Sequence, residues 1–323
     1  MTACLNRPDH RPGPVEIAAL RTALHRDLDG RPLRIATATT PGAHRYGHHL
    51  IEHILRLDLR VQCRLVPVRG QIAPALAQGD VDIAVRHHAD YLGATPPQAL
   101  HAAGVLPRLD PQYALVTRGH RPLHELPRGS VIATTSDTAA HHLTASIPGA
   151  DYEFRPVSGP IGELLDAIAL GHYRALVAPV SQLGNWPHRI TALFPLTTTN
   201  PTSQARHELP MILPAPGTGT LLLHTTGTRP VLTQLAHLLT CPRTALTAHT
   251  EHALATNLTT TAGAQPGLCA HATLDDHGTL HLSAAVLTRH DRTPALLHAQ
   301  ATGHDPDRLG RRVAADLLAR NAH

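Results

Sequence analysis

Apolar residues first fall at helical spacing in "PVEIAALRTALHRDL", where Ile17, Leu20, Leu24 and Leu28 share one face. "GRP" breaks that helix, and "LRIATAT" then reads as a buried strand. "TTPGAHRYGHHLIEHILRL" is a turn and a second helix, with Tyr46, Leu50, Ile54 and Leu57 inward. "VQCRLVPV" is a strand, "APALAQG" a short helix and "VDIAV" a strand. This βαβαβ order predicts an α/β domain with a largely parallel sheet. The rhythm then repeats. "QYALVTR" is a strand, "PRGSVIATTSDTAAHHLTASI" a turn, strand and helix, "EFRPVSG" a strand, "IGELLDAIALG" a helix and "YRALVAPVS" a strand. From Val231 the pattern changes to a helix pair, a Gly-rich link, two strands ("HATL", "LHLSAAVL") and an amphipathic helix with Leu309, Val313, Leu317 and Leu318.

The expected fold class is therefore α/β: two α/β domains plus a small C-terminal α+β domain. The expected boundaries are 1–32 for an N-terminal extension with a helix, 33–110 plus 207–226 for domain 1, 111–206 for domain 2 and 227–323 for domain 3. A length of 323 residues suits two or three cores.

Composition narrows the function classes. Aromatics are 2% of the chain, too few to stack bases, and the arginines behind a net charge of +4 form no dense run, so nucleic acid is not the expected partner. There is no lysine, which excludes Schiff-base chemistry on a lysine amine. No apolar run reaches membrane-spanning length and no apolar signal core opens the chain, so no membrane partner and a cytoplasmic location are expected. Cys4, Cys63, Cys241 and Cys269 lie far apart without CxxC spacing, which argues against a disulfide framework.

Ligands of open α/β sheets sit beyond the carboxyl ends of the strands. Three segments fall there: "TATT", with Thr37, Thr39 and Thr40; "ATTSDT", with Thr134, Thr135 and Ser136; and "RHHAD", with Arg86, His87, His88 and Asp90. The first two open helices. Their hydroxyls and free N–H groups suit a carboxylate or phosphate, or serve as ordinary helix caps. Asp90 suits acid/base work or stabilisation of a cation. Strand alternation places His88 on the face of Arg86 and Asp90. Adjacent histidines point to opposite faces, and the spacing of Cys241, Cys269 and His271 is not that of a zinc site, so no metal is expected.

Several segments in order resemble hydroxymethylbilane synthase, also called porphobilinogen deaminase. "LRIAT" is similar to the family's opening strand, "DIAVRHHAD" to its strand ending in His-Ser-x-Lys-Asp, and "VLPRLDPQYALV" to its Arg-x-Asp-Pro-Arg-Asp-Ala segment. "LPRGSVIATTS" resembles its Gly-Thr-Ser-Ser turn, "LPAPGTGT" its Pro-Ala-x-Gly-Gln-Gly-Ala turn, and "LGRRVAADLLARNA" its closing helix. The resemblance implies two periplasmic-binding-protein-like domains around a cleft, and a small third domain. It also implies that Asp90 holds the catalytic aspartate's place, stabilising the cation left when ammonia departs.

The family carries dipyrromethane on a cysteine in a Gly-Gly-Cys-Gln-x-Pro loop. Here "TAGAQPGLCAHATL" puts Ala264 at that position and Cys269 five residues later. Arginine positions of the family fall on Ala38, Thr138, Ala139, Ser158 and Leu164, and its motif lysine falls on Ala89. Charge-assisted contacts are worth about 1.5–3 kcal/mol each. The expectation is therefore a divergent, dipyrromethane-independent enzyme with no cofactor, a transferase or lyase of specialised metabolism. It would act on a small carboxylate-bearing metabolite by elimination or substitution, with Asp90, His88 and His87 catalytic and Arg86 and the two hydroxyl turns binding substrate. The alternatives are a non-catalytic binding protein, and a true porphobilinogen deaminase using Cys269.

Overall fold

The computed structural model describes residues 13–39, 43–88, 101–118, 123–147, 151–183, 192–195, 212–263, 267–290 and 293–321. In chain order these form α1 (Pro14–Leu28), β1 (Leu33–Ala38), α2 (Ala43–Arg56), β2 (Cys63–Val68), α3 (Ile72–Ala77), β3 (Ile83–His87) and β4 (His101–Val105). Next come β5 (Tyr113–Thr117), β6 (Ser130–Thr134), α4 (Asp137–Ser146), β7 (Tyr152–Pro156), α5 (Ile161–Ala169), β8 (Ala175–Pro179), α6 (Val180–Leu183) and β9 (Ala192–Pro195). The chain continues through β10 (Leu221–Thr225), α7 (Pro230–Leu238), α8 (Pro242–Ala262), β11 (Cys269–Leu274), β12 (Leu280–His290), β13 (Thr293–Gly303) and α9 (Pro306–Asn321). It divides into two compact units, Met1–Arg108 with Thr220–Leu246, and Leu109–Gly219 with Thr247–His323.

The first unit holds a sheet of order β2-β1-β3-β10-β4, with β1 parallel to β2 and β3, and β10 antiparallel to β3 and β4. The second holds β7-β6-β8-β5-β9, with β6 parallel to β7 and β8, and β5 antiparallel to β8 and β9. The two orders are the same arrangement: a parallel trio, then an antiparallel strand brought in from elsewhere in the chain, then an edge strand. This is the expected α/β class. The strands bury both faces. In the second sheet Tyr113, Leu115 and Ile132 pack one side, with Ala114, Val116 and Leu176 on the other. Central strands covered twice read as continuous apolar runs, which is why they were visible in the sequence.

Close helix packing needs small residues. A Cβ on Gly47 of α2 would meet Leu65 Cδ2 at 2.5 Å and Thr37 Cγ2 at 2.7 Å. The predicted inward stripe of α2 is seen in buried Leu50 and Ile54, and that of α1 in Leu20, Leu24 and Leu28. The small C-terminal sheet has order β11-β12-β13, one strand more than the apolar pattern indicated. β13 pairs with β12 along its whole length, but its "TPALLHAQATG" has three alanines, a proline and a glycine and no Val, Ile, Phe, Tyr or Trp, and carries little strand propensity of its own. Among the described residues no helix is long and apolar enough to cross a membrane.

A buried carboxylate closes the first unit. The Asp82 side chain is wholly buried, at the entry to β3. It accepts from the Arg34 amide (2.8 Å), the Arg34 and Arg31 guanidiniums (3.0–3.1 Å) and Arg229, which also grips Asp27. The contacts join α1, β1, β3 and the start of α7. Desolvation opposes the charge on Asp82, but the hydrogen bonds from Arg34, Arg229 and Arg31 outweigh it and hold the carboxyl well below the usual range. Asp82→Ala takes the shared acceptor from Arg31 and Arg34 and leaves Arg229 with Asp27 alone. Their partial exposure places the expected loss toward the low end of the buried-pair range, about 2–3 kcal/mol, read by urea unfolding at pH 7. Because the folded pKa is depressed, this stabilisation is present above the unfolded value of about 3.9 and fades below it, so the gap between wild type and variant narrows in acid.

Candidate functional site

In the first unit β3 delivers its polar end beside β10. Arg86 stands opposite Leu222 and His87 opposite Leu221, and the His88 amide donates to Thr220 O at 2.8 Å, so the ladder runs one residue past the strand. Alternation then separates the side chains. His87 lies 5.8 Å from the Tyr46 ring of α2. Burial, with the nearby Arg108 cation, pushes its pKa down to about 4. Arg86 and His88 instead share surroundings with His224 of β10 and with His101. His224 is itself pushed down to about 4 by burial first, and then by these like charges. Four cationic or potentially cationic groups thus converge around β3 and β10, an arrangement suited to a carboxylate. Sequence reasoning missed His224 and His101, because β10 joins this sheet from more than 130 residues away.

The first hydroxyl turn is only partly available. Thr37 is buried at the end of β1, with its methyl against Gly47. Thr39 is exposed. Thr40, Asp90 and Ala264 lie outside the described residues.

The second hydroxyl turn sits in the second unit, between β6 and α4. Thr134 is buried and donates to Ser136 O at 3.0 Å. Ser136 caps α4, accepting the Ala139 amide at 3.3 Å. Both hydroxyls therefore do structural work that the sequence left open. The Thr135 hydroxyl is buried without a hydrogen-bond partner among the described residues, and it remains available to a ligand at the helix start.

The strand carrying Cys269 is fastened to the same region. Tyr113 is buried beside both Ser136, which hydrogen-bonds its phenol, and Cys269. His142 of α4 is buried, with Nε2 2.6 Å from Gly267 O. The Ala270 amide donates to Pro214 O at 2.9 Å. Glu251 of α8, wholly buried, accepts the Gly217 amide at 2.7 Å and the Ala272 amide at 2.8 Å. The turn of residues 214–219 requires glycine at its end: Gly219 has φ +77, and a Cβ there would sit 2.3 Å from Leu109 O. Burial pushes the Cys269 thiol up. Ala139 and Leu164, aligned with arginine positions in the resemblance, are both core residues. A depression of about 380 Å³, lined by Arg118, Tyr173 and Arg174, shares no residue with these groups.

Residues 69–232 match the family model described as "Porphobilinogen deaminase, dipyromethane cofactor binding domain". Porphobilinogen deaminase of Acidothermus cellulolyticus is 31% identical over 259 residues, covering 78% of this chain and 72% of its own length. That of Chromobacterium violaceum is 31% identical over 253 residues, covering 77% and 75%. Among solved structures, a periplasmic substrate-binding protein of an ABC transporter from Coxiella burnetii aligns over 68% of this chain and 96% of its own at 16% identity, with a TM-score of 0.39. The matched domain and these relatives overturn the expectation, drawn from Ala264 and the missing arginines, that the chain carries no covalent dipyrromethane.

The buried imidazoles of the first unit make stability pH-dependent. Both folded pKa values, about 4 for His87 and His224, lie below the unfolded value of about 6.5. The unfolded chain therefore binds more protons between these limits, and stability falls as pH drops from about 6.5 toward 4. Each histidine contributes a slope of up to about 1.4 kcal/mol per pH unit. Urea unfolding between pH 7.5 and 4.5 measures the slope, and His224→Gln is expected to flatten it.

Proposed function

The chain belongs to the porphobilinogen deaminase family, and we propose that it joins porphobilinogen units head to tail, with a dipyrromethane carried on Cys269. The observation that supports this most is the setting of Cys269 beside Tyr113 and Ser136 at the start of α4, with the unpaired Thr135 hydroxyl in the same turn. These groups fit a thioether-linked group bearing carboxylates: a sulfur to hold it, and helix-start N–H groups and a hydroxyl to receive its side chains. The bound group supplies the nucleophilic pyrrole end onto which units are added. Cys269 opens an edge strand two residues after Gly267, whose φ is +73. Attachment requires that first residue to open, because the thiol is buried and burial keeps it protonated.

In each addition an aminomethyl C–N bond of the substrate breaks, ammonia leaves, a C–C bond forms and a pyrrole proton is lost. Asp90 stabilises the positive charge on the substrate. Arg86 holds a substrate carboxylate, with Thr37 and Thr39 at the neighbouring strand end. His88 is the better acid/base group of the pair, because His87 is committed to Tyr46 and kept neutral. Repurposed elimination chemistry rests on Ala264 and the arginine losses beside a retained Asp90, and the family assignment favours condensation over it. Binding without turnover is the second reading. It is favoured by the burial of Cys269 and by the core packing of Ala139 and Leu164.

Intact-mass measurement before and after incubation with porphobilinogen tests the proposal. Wild type is expected to carry an added dipyrromethane and Cys269→Ser to lack it. Asp90→Asn is expected to release ammonia about a hundredfold or more slowly, the scale of a lost acid/base or charge-stabilising group. A bare-chain mass with no consumption of porphobilinogen leaves the binding reading in place. An adduct that survives in Cys269→Ser moves the anchor elsewhere.

A further inference from the structure

Helix α2 carries a pair of histidines that the proposed reaction does not use. His49 and His53 stand one turn apart on the same face, with ring centroids 4.6 Å apart and the rings near perpendicular. Both Nε2 atoms are shielded from solvent and have no hydrogen-bond partner among the described residues. His49 has a backbone hydrogen bond to Pro107. With its Nε2 unpartnered, the ring N–H that meets the Pro107 carbonyl is Nδ1–H, and this tautomer leaves a lone pair on Nε2. A carbonyl on one ring nitrogen with a free lone pair on the other is how metal-ligating histidines are commonly oriented. Between the two, Glu52 completes the spacing His-x-x-Glu-His, and its carboxylate interacts with both imidazoles.

We propose that His49 and His53 form a divalent transition-metal site on α2, taking zinc through their two Nε2 atoms with Glu52 supplying compensating charge. Imidazole pairs at this spacing suit zinc and copper better than oxygen-seeking cations. Burial lowers the pKa of both histidines. The Arg56 cation acts on both rings and weakens the site; Glu52 opposes it. Among the described residues no group of three or more His, Cys, Asp or Glu is set to hold a metal, so the two imidazoles are the protein's ligands in this site. The neighbouring pair His44 and His48 has the same sequence spacing, but its rings are 6.3 Å apart. It serves as an internal control.

The test is zinc titration of the purified full chain against a chromophoric chelator at pH 7.5, with His49→Gln, His53→Gln and the double control His44→Gln/His48→Gln. The expected result is one zinc equivalent in wild type and control, weakened about tenfold or more in either single variant, since loss even of a ligand's supporting contact costs that much. Zinc is also expected to raise the Tm of wild type and control but not of the variants. No zinc bound by wild type, or equal affinity in all four proteins, overturns the site. If a variant does not fold, NMR of the wild-type imidazoles decides: zinc must shift the Nε2 resonances of both His49 and His53, and unshifted resonances reject the site.

Discussion

A carboxylate with no solvent contact has to be held by donors, and the second unit is organised around one. Glu251 sits in the middle of α8, wholly buried, and its two oxygens receive the amides of Gly217 and Ala272. One amide belongs to a glycine turn whose path no larger residue can follow at Gly219. The other belongs to the strand that begins at Cys269. A buried charge that loses such partners costs several kcal/mol, so the helix, turn and strand stand or fall together. The position of the only cysteine described in this unit is therefore set less by its own packing than by a glutamate 18 residues earlier. His142 adds the second fastening, from α4 to Gly267, and brings the strand to the β6–α4 turn.

The first unit solves the same problem with different donors. Asp82 is as fully buried, but here one backbone amide, that of Arg34, is joined by three arginine side chains. In a chain without lysine this is a consequence of composition. A guanidinium presents a planar fork, and Arg34 uses it on both oxygens of Asp82 at 3.1 Å. Arg31 and Arg229 each add a single nitrogen, Nη1, to the same carboxylate. The result is a rigid origin for β1 and β3, the two strands whose far ends carry Thr37 and Arg86.

Much of this fold is legible in the sequence, for a physical reason. The parallel strands β1, β3, β6 and β8 are buried on both faces, and so appear as uninterrupted apolar runs. The helices α2 and α5 meet a sheet on one face only, and α1 packs on α7, so each keeps an apolar stripe. β13 escaped notice because pairing with β12, not its own residues, makes it a strand. The candidate site was legible only where it is local. Alternation along one strand separates His87 from Arg86 and His88, as the structure shows. His224 enters from β10, and Glu251 from a helix of Thr, Ala and His in which a single acidic residue carries no signal. The pair His49 and His53 was hidden by abundance, since 27 histidines make close spacing unremarkable until ring geometry is known.

The family assignment and the residues at the family's arginine positions make opposite demands, and the histidines of the first unit bear on both. A relative that binds carboxylates through guanidiniums uses groups that stay charged at any physiological pH. Around Arg86 this chain has His88, His101 and His224, and His224 is held neutral by burial. A neutral imidazole still donates one hydrogen bond, but at the net worth of an ordinary one, about 0.5–1.5 kcal/mol against about 1.5–3 for a charged donor. Arg86 is then the residue in this cluster that supplies a permanent charge, and the imidazoles shape the space around it. Such a surface can orient one carboxylate firmly and several others weakly.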